Sequence, residues 1–127
     1  MQKPPAESEL QAGATAVVVA INKEKIVCAN AGDSRAALWQ NNKCVPLSID
    51  HKPENPVEKE RIAKTGVPIV QGRVNGLNLT RSIGDFSHKT VPGLAFNQQP
   101  ITCMPDIIEV KRTGGEEIMI VGCDGIW

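Results

Sequence analysis

The sequence predicts an α+β fold in which antiparallel sheet predominates. About seven apolar segments have the length and composition of strands, and most are joined by turns too short to hold a crossover helix. One segment carries both the start and the stop signals of a helix. The chain has 127 residues, which suits one domain or part of one. Because one short helix cannot cover such a sheet, we expect further helices outside this chain to complete the fold.

The strand predictions rest on apolar runs bounded by turns. Residues 15–21 are mostly β-branched and apolar, and the apolar residues occupy both odd and even positions. This pattern predicts a strand buried on both faces. Asn41 with Asn42, and Asn75 with Gly76, are tight-turn signals between neighbouring strands. Further strands are predicted over 26–31, 35–40, 44–47, an edge segment at 67–71, 73–74, 77–79, 106–111 and 117–121.

The predicted helix begins at Pro56 and ends before Gly66. Asn55 is a good N-cap, and proline is well suited to the first helical position. Glu58 lies three residues after Asn55, which predicts a capping box. Ile62 belongs to the apolar stripe that would face the core.

Composition argues against several function classes. Fourteen basic and fourteen acidic residues balance, no basic stripe occurs, and aromatic residues make up 3%, so we expect no nucleic-acid partner. The four cysteines form no CxxC pair, and the two histidines show no zinc-ligand spacing. Reduced thiols indicate a cytoplasmic or nuclear protein. Residues 1–11 are polar and precede a predicted domain over 12–127, and no apolar stretch approaches the ~20 residues that span a bilayer, so no membrane partner is expected.

Two aspartates follow strand-like segments and stand beside glycines. Asp33 comes after the apolar run 26–29, and Asp124 comes after 118–121. Carboxylates at strand ends, where glycine allows close approach, suit hard cations such as Mg²⁺ and Mn²⁺. Taken alone, each aspartate is better explained by an ordinary turn, since aspartate often hydrogen-bonds its own backbone there.

Other polar and aromatic residues are given structural interpretations. Arg35 and Arg81 could bind phosphate, but we interpret them as partners of nearby carboxylates that fix loops. His51 is interpreted as part of a structural loop rather than as a general acid. Trp39 and Trp127 are predicted to be core residues.

Eight short segments occur in one characteristic order. They are GATAV at 13–17, ANAGDSR at 29–35, DHKP at 50–53, ERI at 60–62, RVNG at 73–76, RSIGD at 81–85, PD at 105–106 and CDGIW at 123–127. With these segments the chain resembles the metal-dependent protein phosphatases of the PPM type, the type 2C serine/threonine phosphatases. The run GLNLTR at 76–81 is most similar to their gamma-like branch.

The resemblance implies an α-β-β-α sandwich of two antiparallel sheets with outer helices, only partly present in this chain. It implies a centre of two Mn²⁺ or Mg²⁺ ions, with a third, weaker ion. Asp124 matches a ligand of the metals, and Asp33 matches a residue that helps to hold the third ion. A flap region covers about 53–74. Arg73, Asn75 and Asp85 are candidates for the substrate and flap region, although we favour a loop-bracing role for Asp85.

The function implied by the resemblance is hydrolysis of phosphoserine and phosphothreonine in proteins by a water activated at the metal centre. We expect a monomer whose partners are phosphoproteins. The family's early arginine, acidic ligand and Asp-Gly pair, and its late aspartate, have no counterpart here. We therefore expect this chain to be a central part of the catalytic domain and to be inactive alone. The alternative is a non-catalytic phosphatase-like domain that binds partners or phosphopeptides.

Overall fold

The computed structural model describes residues 10–127, and two three-stranded antiparallel sheets dominate it. The strands are β1 (Gly13–Ala14), β2 (Ala16–Ile21), β3 (Lys25–Ala31), β4 (Arg35–Gln40), β5 (Lys43–Pro46), β6 (Ile69–Val70), β7 (Arg73–Val74), β8 (Ile83–Gly84), β9 (Asp106–Lys111) and β10 (Glu116–Gly122). One sheet has the order β2–β3–β9, and the other has the order β10–β4–β5. Two short strand pairs, β1–β8 and β6–β7, complete the sheet structure of this part.

The main core lies between the two sheets. Alternate residues of β3 and β4 point inward, as the two-residue period of a strand requires. The buried cluster consists of Ile26, Cys28, Ala36, Leu38 and Leu47. Both central strands therefore contribute to one apolar layer, which confirms the predicted α+β sandwich of antiparallel sheets.

The outer faces of these sheets remain partly apolar and exposed. On β2, Val18 is 62% exposed, so the prediction that this strand is buried on both faces is wrong for residues 10–127. On β10, Ile118 and Ile120 are also exposed. An outward apolar face is what a covering helical layer would bury. That layer remains a prediction.

Helix α1 (Pro56–Thr65) packs over a second, smaller core. Asn55 caps it by accepting the Val57 N–H at 3.2 Å, and Gly66 ends it in the left-handed conformation. Ile62 is fully buried and belongs to a cluster with Val74 and Ile101. No helix among residues 10–127 is long and apolar enough to cross a membrane.

The predicted capping box is wrong. The Glu58 side chain does not turn back toward Asn55 but is 1% exposed and binds two arginines and a threonine. The predicted core positions of Trp39 and Trp127 are also wrong, because both rings are exposed. Trp39 lies on β4 next to the exposed β10 partner Ile118, on the outward side of its sheet.

The tight turns are confirmed. Asn41 and Asn42 both have positive φ between β4 and β5, as a two-residue hairpin turn demands. Asn75 and Gly76 also have positive φ, and Val74 and Leu77 exchange two backbone hydrogen bonds across them.

Gly32 and Gly66 make a matched pair for testing backbone constraint. Both have positive φ, at 120° and 76°, but a Cβ on Gly66 would meet no atom within 4 Å, whereas one on Gly32 would lie 2.4 Å from Thr15 Cγ2. We expect Gly66→Ala to lower the free energy of unfolding by about 1–2 kcal/mol, the cost of a left-handed alanine. Gly32→Ala should cost about 1–3 kcal/mol more because of steric overlap. Urea denaturation of the two variants in parallel measures the difference, and equal losses would contradict the crowded setting of Gly32.

Candidate functional site

The two predicted metal-binding aspartates lie beyond the same end of one strand pair. In the β4–β10 ladder, Gly122 pairs with Arg35. Asp33 stands two residues before Arg35, and Asp124 stands two residues after Gly122. The antiparallel register therefore brings Asp33 and Asp124 to matching positions beyond the same end of the β4–β10 pair, although they are distant in sequence. Asp33 is 8% exposed and Asp124 is exposed.

The Asp33 loop is held by a second loop at residues 50–52, and each of these three residues contacts a different residue of the Gly32–Arg35 segment. Asp50 accepts two hydrogen bonds from Arg35, both at 2.9 Å. The Lys52 ammonium forms a short ion pair with the Asp33 carboxylate. His51 binds Gly32. We call these two segments, 32–35 and 50–52, the paired loops.

Gly32 is the most constrained residue of the paired loops. Its N–H donates to His51 Nδ1 at 3.0 Å, and its carbonyl accepts from the His51 N–H at 3.0 Å and from Asn30 Nδ2 at 3.1 Å. The Thr15 hydroxyl lies 2.7 Å from the Ser34 hydroxyl, so β1–β2 also contacts this loop. His51 and Asn30 thus hold the backbone directly before Asp33, and Thr15 holds the side chain of the residue directly after it.

The Asp124 loop is tied to the same place through Arg35. The Arg35 guanidinium lies 5.2 Å from the centre of the Trp127 ring, within the range of a cation–π contact. Trp127 Nε1 in turn donates to the Gly122 carbonyl at 3.1 Å. Arg35 therefore bridges Asp50 and the turn that carries Asp124, which confirms its interpretation as a loop-fixing residue.

A buried ion network connects helix α1 with the sheets. Arg81 Nη2 donates to Glu58 Oε1 at 2.6 Å, and Arg81 Nη1 donates to Asp106 Oδ1 at 2.7 Å. Arg61 Nη1 donates to Glu58 Oε2 at 2.7 Å, and the Thr80 hydroxyl donates to the same oxygen. Both oxygens of the buried Glu58 carboxylate are therefore paired, as burial of a charge requires. Arg81 is confirmed as a partner of carboxylates.

His51 joins this network to the paired loops. Its ring is 1% exposed, and Nε2 lies 3.1 Å from Asp106 Oδ2. Because Nδ1 accepts the Gly32 N–H, the ring proton is on Nε2, which donates to Asp106. A continuous path runs from Glu58 through Arg81, Asp106 and His51 to Gly32.

The two carboxylates of this network have lowered pKa values. Burial alone would raise the pKa of Glu58, but hydrogen bonds from Arg81 and Thr80 and the charge of Arg61 outweigh it and hold that pKa below its ordinary 4.5. Burial would likewise raise the pKa of Asp106, but its hydrogen bonds with His51 and Arg81 hold it below 3.8.

The other predicted site residues lie in or next to turns. Arg73 is exposed, and its Nη1 donates to the Gly76 carbonyl at 2.9 Å, which braces the turn that contains Asn75. Asp85 contacts β1 instead: its N–H donates to the Ala12 carbonyl at 2.8 Å, and its carboxylate occupies the space that a side chain on Gly13 would need. These contacts favour the loop-bracing role of Asp85.

Glu58, Asp106 and Lys52 were not among the site residues predicted from the sequence. One usable signal was the spacing of Glu58 and Ile62, because residues four apart share a helix face. A carboxylate on the apolar face of a helix needs a buried cationic partner. Among residues 10–127, no group of three or more His, Cys, Asp or Glu side chains is arranged to hold a metal ion.

Comparison with known proteins places this geometry in context. The family profile for Protein phosphatase 2C matches residues 1–127. The chain is 49% identical over 116 residues to Protein phosphatase ppm-1.G of Caenorhabditis elegans, covering 91% of the chain and 24% of that protein. It is 46% identical over 128 residues to Protein phosphatase 2C homolog 2 of Aspergillus fumigatus, covering 100% of the chain and 30% of that protein. The crystal structure of a phosphatase from a pathogenic strain of Toxoplasma gondii is similar with a TM-score of 0.74 at 34% identity, covering 80% of the chain and 32% of that structure. The chain thus spans about a quarter to a third of the length of these proteins.

Removal of Arg81 tests the buried network. Arg81→Met should lower the free energy of unfolding by about 3–5 kcal/mol, because it leaves the buried Glu58 carboxylate without its main partner. Lys64→Met, which breaks the exposed Glu60–Lys64 pair on the same helix, is the control and should cost about 0.5 kcal/mol or less. Urea denaturation measures both, and a loss at Arg81 no larger than that at Lys64 would contradict the structural role of the network.

The lowered pKa values predict acid sensitivity. A carboxylate whose pKa is lower in the folded state contributes stability above its ordinary pKa, and this contribution is lost as pH falls through the lowered value. We expect the free energy of unfolding to fall as pH drops below 4.5, the ordinary pKa of Glu58. Glu58→Gln should be less stable at neutral pH and show a shallower acid slope.

The exposed residue Glu54 provides the control, since Glu54→Gln should keep the acid slope of the wild type. Urea denaturation at several pH values gives the slopes. An equally steep acid slope in Glu58→Gln would show that this carboxylate is not the source of the effect.

Proposed function

Because the chain belongs to the protein phosphatase 2C family, we propose that it is part of a protein serine/threonine phosphatase that depends on Mn²⁺ or Mg²⁺. The observation that carries the proposal is the placement of Asp33 and Asp124 beyond one end of the β4–β10 pair. The domain over 12–127 and the flap over about 53–74 are part of the same proposal.

The oxygen ligands at this end of the β4–β10 pair fit a divalent cation. Carboxylate oxygens are the ligands that Mg²⁺ and Mn²⁺ favour, and both ions keep water in the positions that protein does not fill. The nearly buried Asp33 carboxylate already binds one cation, the Lys52 ammonium. Asp124 is exposed and takes part in no ion pair among the described residues. Two carboxylates are an incomplete ligand set, so the remaining ligands would come from other parts of the whole protein.

The residues of this chain would hold the cations and keep their ligands in place. Bound cations would lower the pKa of a water molecule, so that hydroxide is available for hydrolysis of a phosphate ester at neutral pH. Asp124 would be a ligand of the main centre. Asp33 would hold a weaker ion, because the Lys52 ammonium competes for its carboxylate. Arg35 would keep the two aspartate loops together through Asp50 and Trp127.

The substrates proposed are phosphoserine and phosphothreonine in proteins. Arg73 at the start of β7 and Asn75 in the turn that follows it are both exposed, where a polypeptide substrate could reach them. The bond from Arg73 to Gly76 leaves part of its guanidinium free for a phosphate or a carboxylate. Asp85 would act on the site only through the loop that it braces.

The proposal is tested by metal-dependent turnover of p-nitrophenyl phosphate and a phosphothreonine peptide by the full-length protein. EDTA should abolish activity, and Mn²⁺ or Mg²⁺ should restore it. Asp124→Asn should nearly abolish turnover, because it removes a negative ligand from the main centre. Asp33→Asn should reduce turnover less, since a weaker ion is lost. The isolated chain, residues 1–127, should be inactive with either metal.

Asn22→Asp, a change of charge in the exposed β2–β3 turn, serves as a control for unspecific charge effects and should not alter turnover. Full activity of Asp124→Asn would refute the metal assignment. Absence of turnover by the full-length protein under every metal condition would favour the non-catalytic, partner-binding alternative.

A further inference from the structure

We propose that His51 is a positioning residue for the Asp33 metal site, acting through its hydrogen bond with the Gly32 peptide rather than by contact with metal or substrate. This inference rests on the proposed function, because it takes Asp33 to be a cation ligand. Both ring nitrogens of His51 are already used, Nδ1 by the Gly32 N–H and Nε2 by Asp106.

His51 makes two hydrogen bonds with Gly32. The ring Nδ1 accepts the Gly32 N–H, and the His51 N–H donates to the Gly32 carbonyl, both at 3.0 Å. The N–H belongs to the Ala31–Gly32 peptide unit and the carbonyl to the Gly32–Asp33 unit, so His51 holds the two units on either side of Gly32, and neither can rotate without breaking a buried hydrogen bond. Asp33 follows directly, so the direction in which its Cβ leaves the backbone depends on these two units.

The other side of the ring is anchored in the buried network. Nε2 donates to Asp106 Oδ2, and the second oxygen of Asp106 accepts from Arg81. Arg81 is fixed by Glu58 of helix α1. The ring therefore has one defined tautomer and one orientation, which is the role that outer-shell partners play for metal ligands.

The contact on the Asp33 carboxylate itself does not supply this order. Lys52 has a flexible side chain, is partly exposed, and binds as a point charge without a fixed direction. A cation that replaced this ammonium would find the orientation of Asp33 set by the backbone. His51, with Asn30 on the Gly32 carbonyl, is what holds that backbone.

Two substitutions separate the functions of the two ring nitrogens. Nδ1 is two bonds from Cβ, as the amide oxygen of asparagine is, so His51→Asn can still accept the Gly32 N–H but loses Asp106. Nε2 is three bonds from Cβ, as the amide nitrogen of glutamine is, so His51→Gln can still donate to Asp106 but leaves the Gly32 N–H without its acceptor. Ile101→Val, in the second core, is a control for general loss of packing.

The experiment uses the full-length protein and three readouts. Electron paramagnetic resonance titration with Mn²⁺ gives the affinity of each class of site, and Asp33→Asn identifies the class that depends on Asp33. Hydrogen exchange, measured by mass spectrometry on a peptide that contains Gly32, reports whether the Gly32 N–H keeps its hydrogen bond. Thermal denaturation shows whether each variant folds.

We expect His51→Gln to weaken Mn²⁺ binding at the Asp33-dependent site by about 10- to 100-fold and to speed exchange at Gly32. His51→Asn and Ile101→Val should keep both properties close to the wild type, even where thermal stability falls. Equal Mn²⁺ affinity and equal Gly32 exchange in the Gln and Asn variants, with the wild type active, would overturn this inference alone. A wild type that neither binds Mn²⁺ nor turns over substrate would overturn the proposed function and the inference together.

Discussion

The pairing of two short loops, 32–35 with 50–52, is the constraint on which the candidate site depends. Three consecutive residues, Asp50, His51 and Lys52, each contact a different member of the Gly32–Arg35 segment. This pairing holds the connection between β3 and β4, which belong to different sheets. It holds an acidic side chain, nearly buried, at a place where a loop of this length would otherwise be free to move.

The buried ion network extends this constraint to helix α1. Glu58 and Arg81 are both nearly inaccessible, and a buried charge is tolerated only when its partners are fully placed. The arrangement is costly to break but specific in geometry, because a guanidinium fork accepts only a few orientations of a carboxylate. The helix, the loop at 50–52 and the β3–β4 connection are therefore positioned by one set of contacts, and movement of the helix would be felt at Gly32.

Charge balance distinguishes the two aspartates. The charge of Asp33 is compensated by Lys52. The exposed Asp124 lies beyond the end of β10, in a turn that Trp127 and Arg35 hold in place. Under the proposed function, this difference predicts two classes of cation site from one chain. The net charge of zero says nothing about it, since the distinction depends on where each charge is placed.

Much of the local structure, and the family, could be predicted from the sequence. The two-residue strand period, the asparagine turns and the Asn55 and Gly66 caps depend on neighbours in the chain, so they could be predicted without the fold. The ordered motifs likewise identified Asp33 and Asp124 as candidate ligands. The partners of Glu58 and His51 depend on the packing of distant segments. A capping box and a buried ion pair would use the same Glu58 carboxylate, and residues far along the chain determine which one forms. Arg81, Thr80 and Asp106 reach Glu58 and His51 across more than twenty positions, and no local pattern encodes such a meeting.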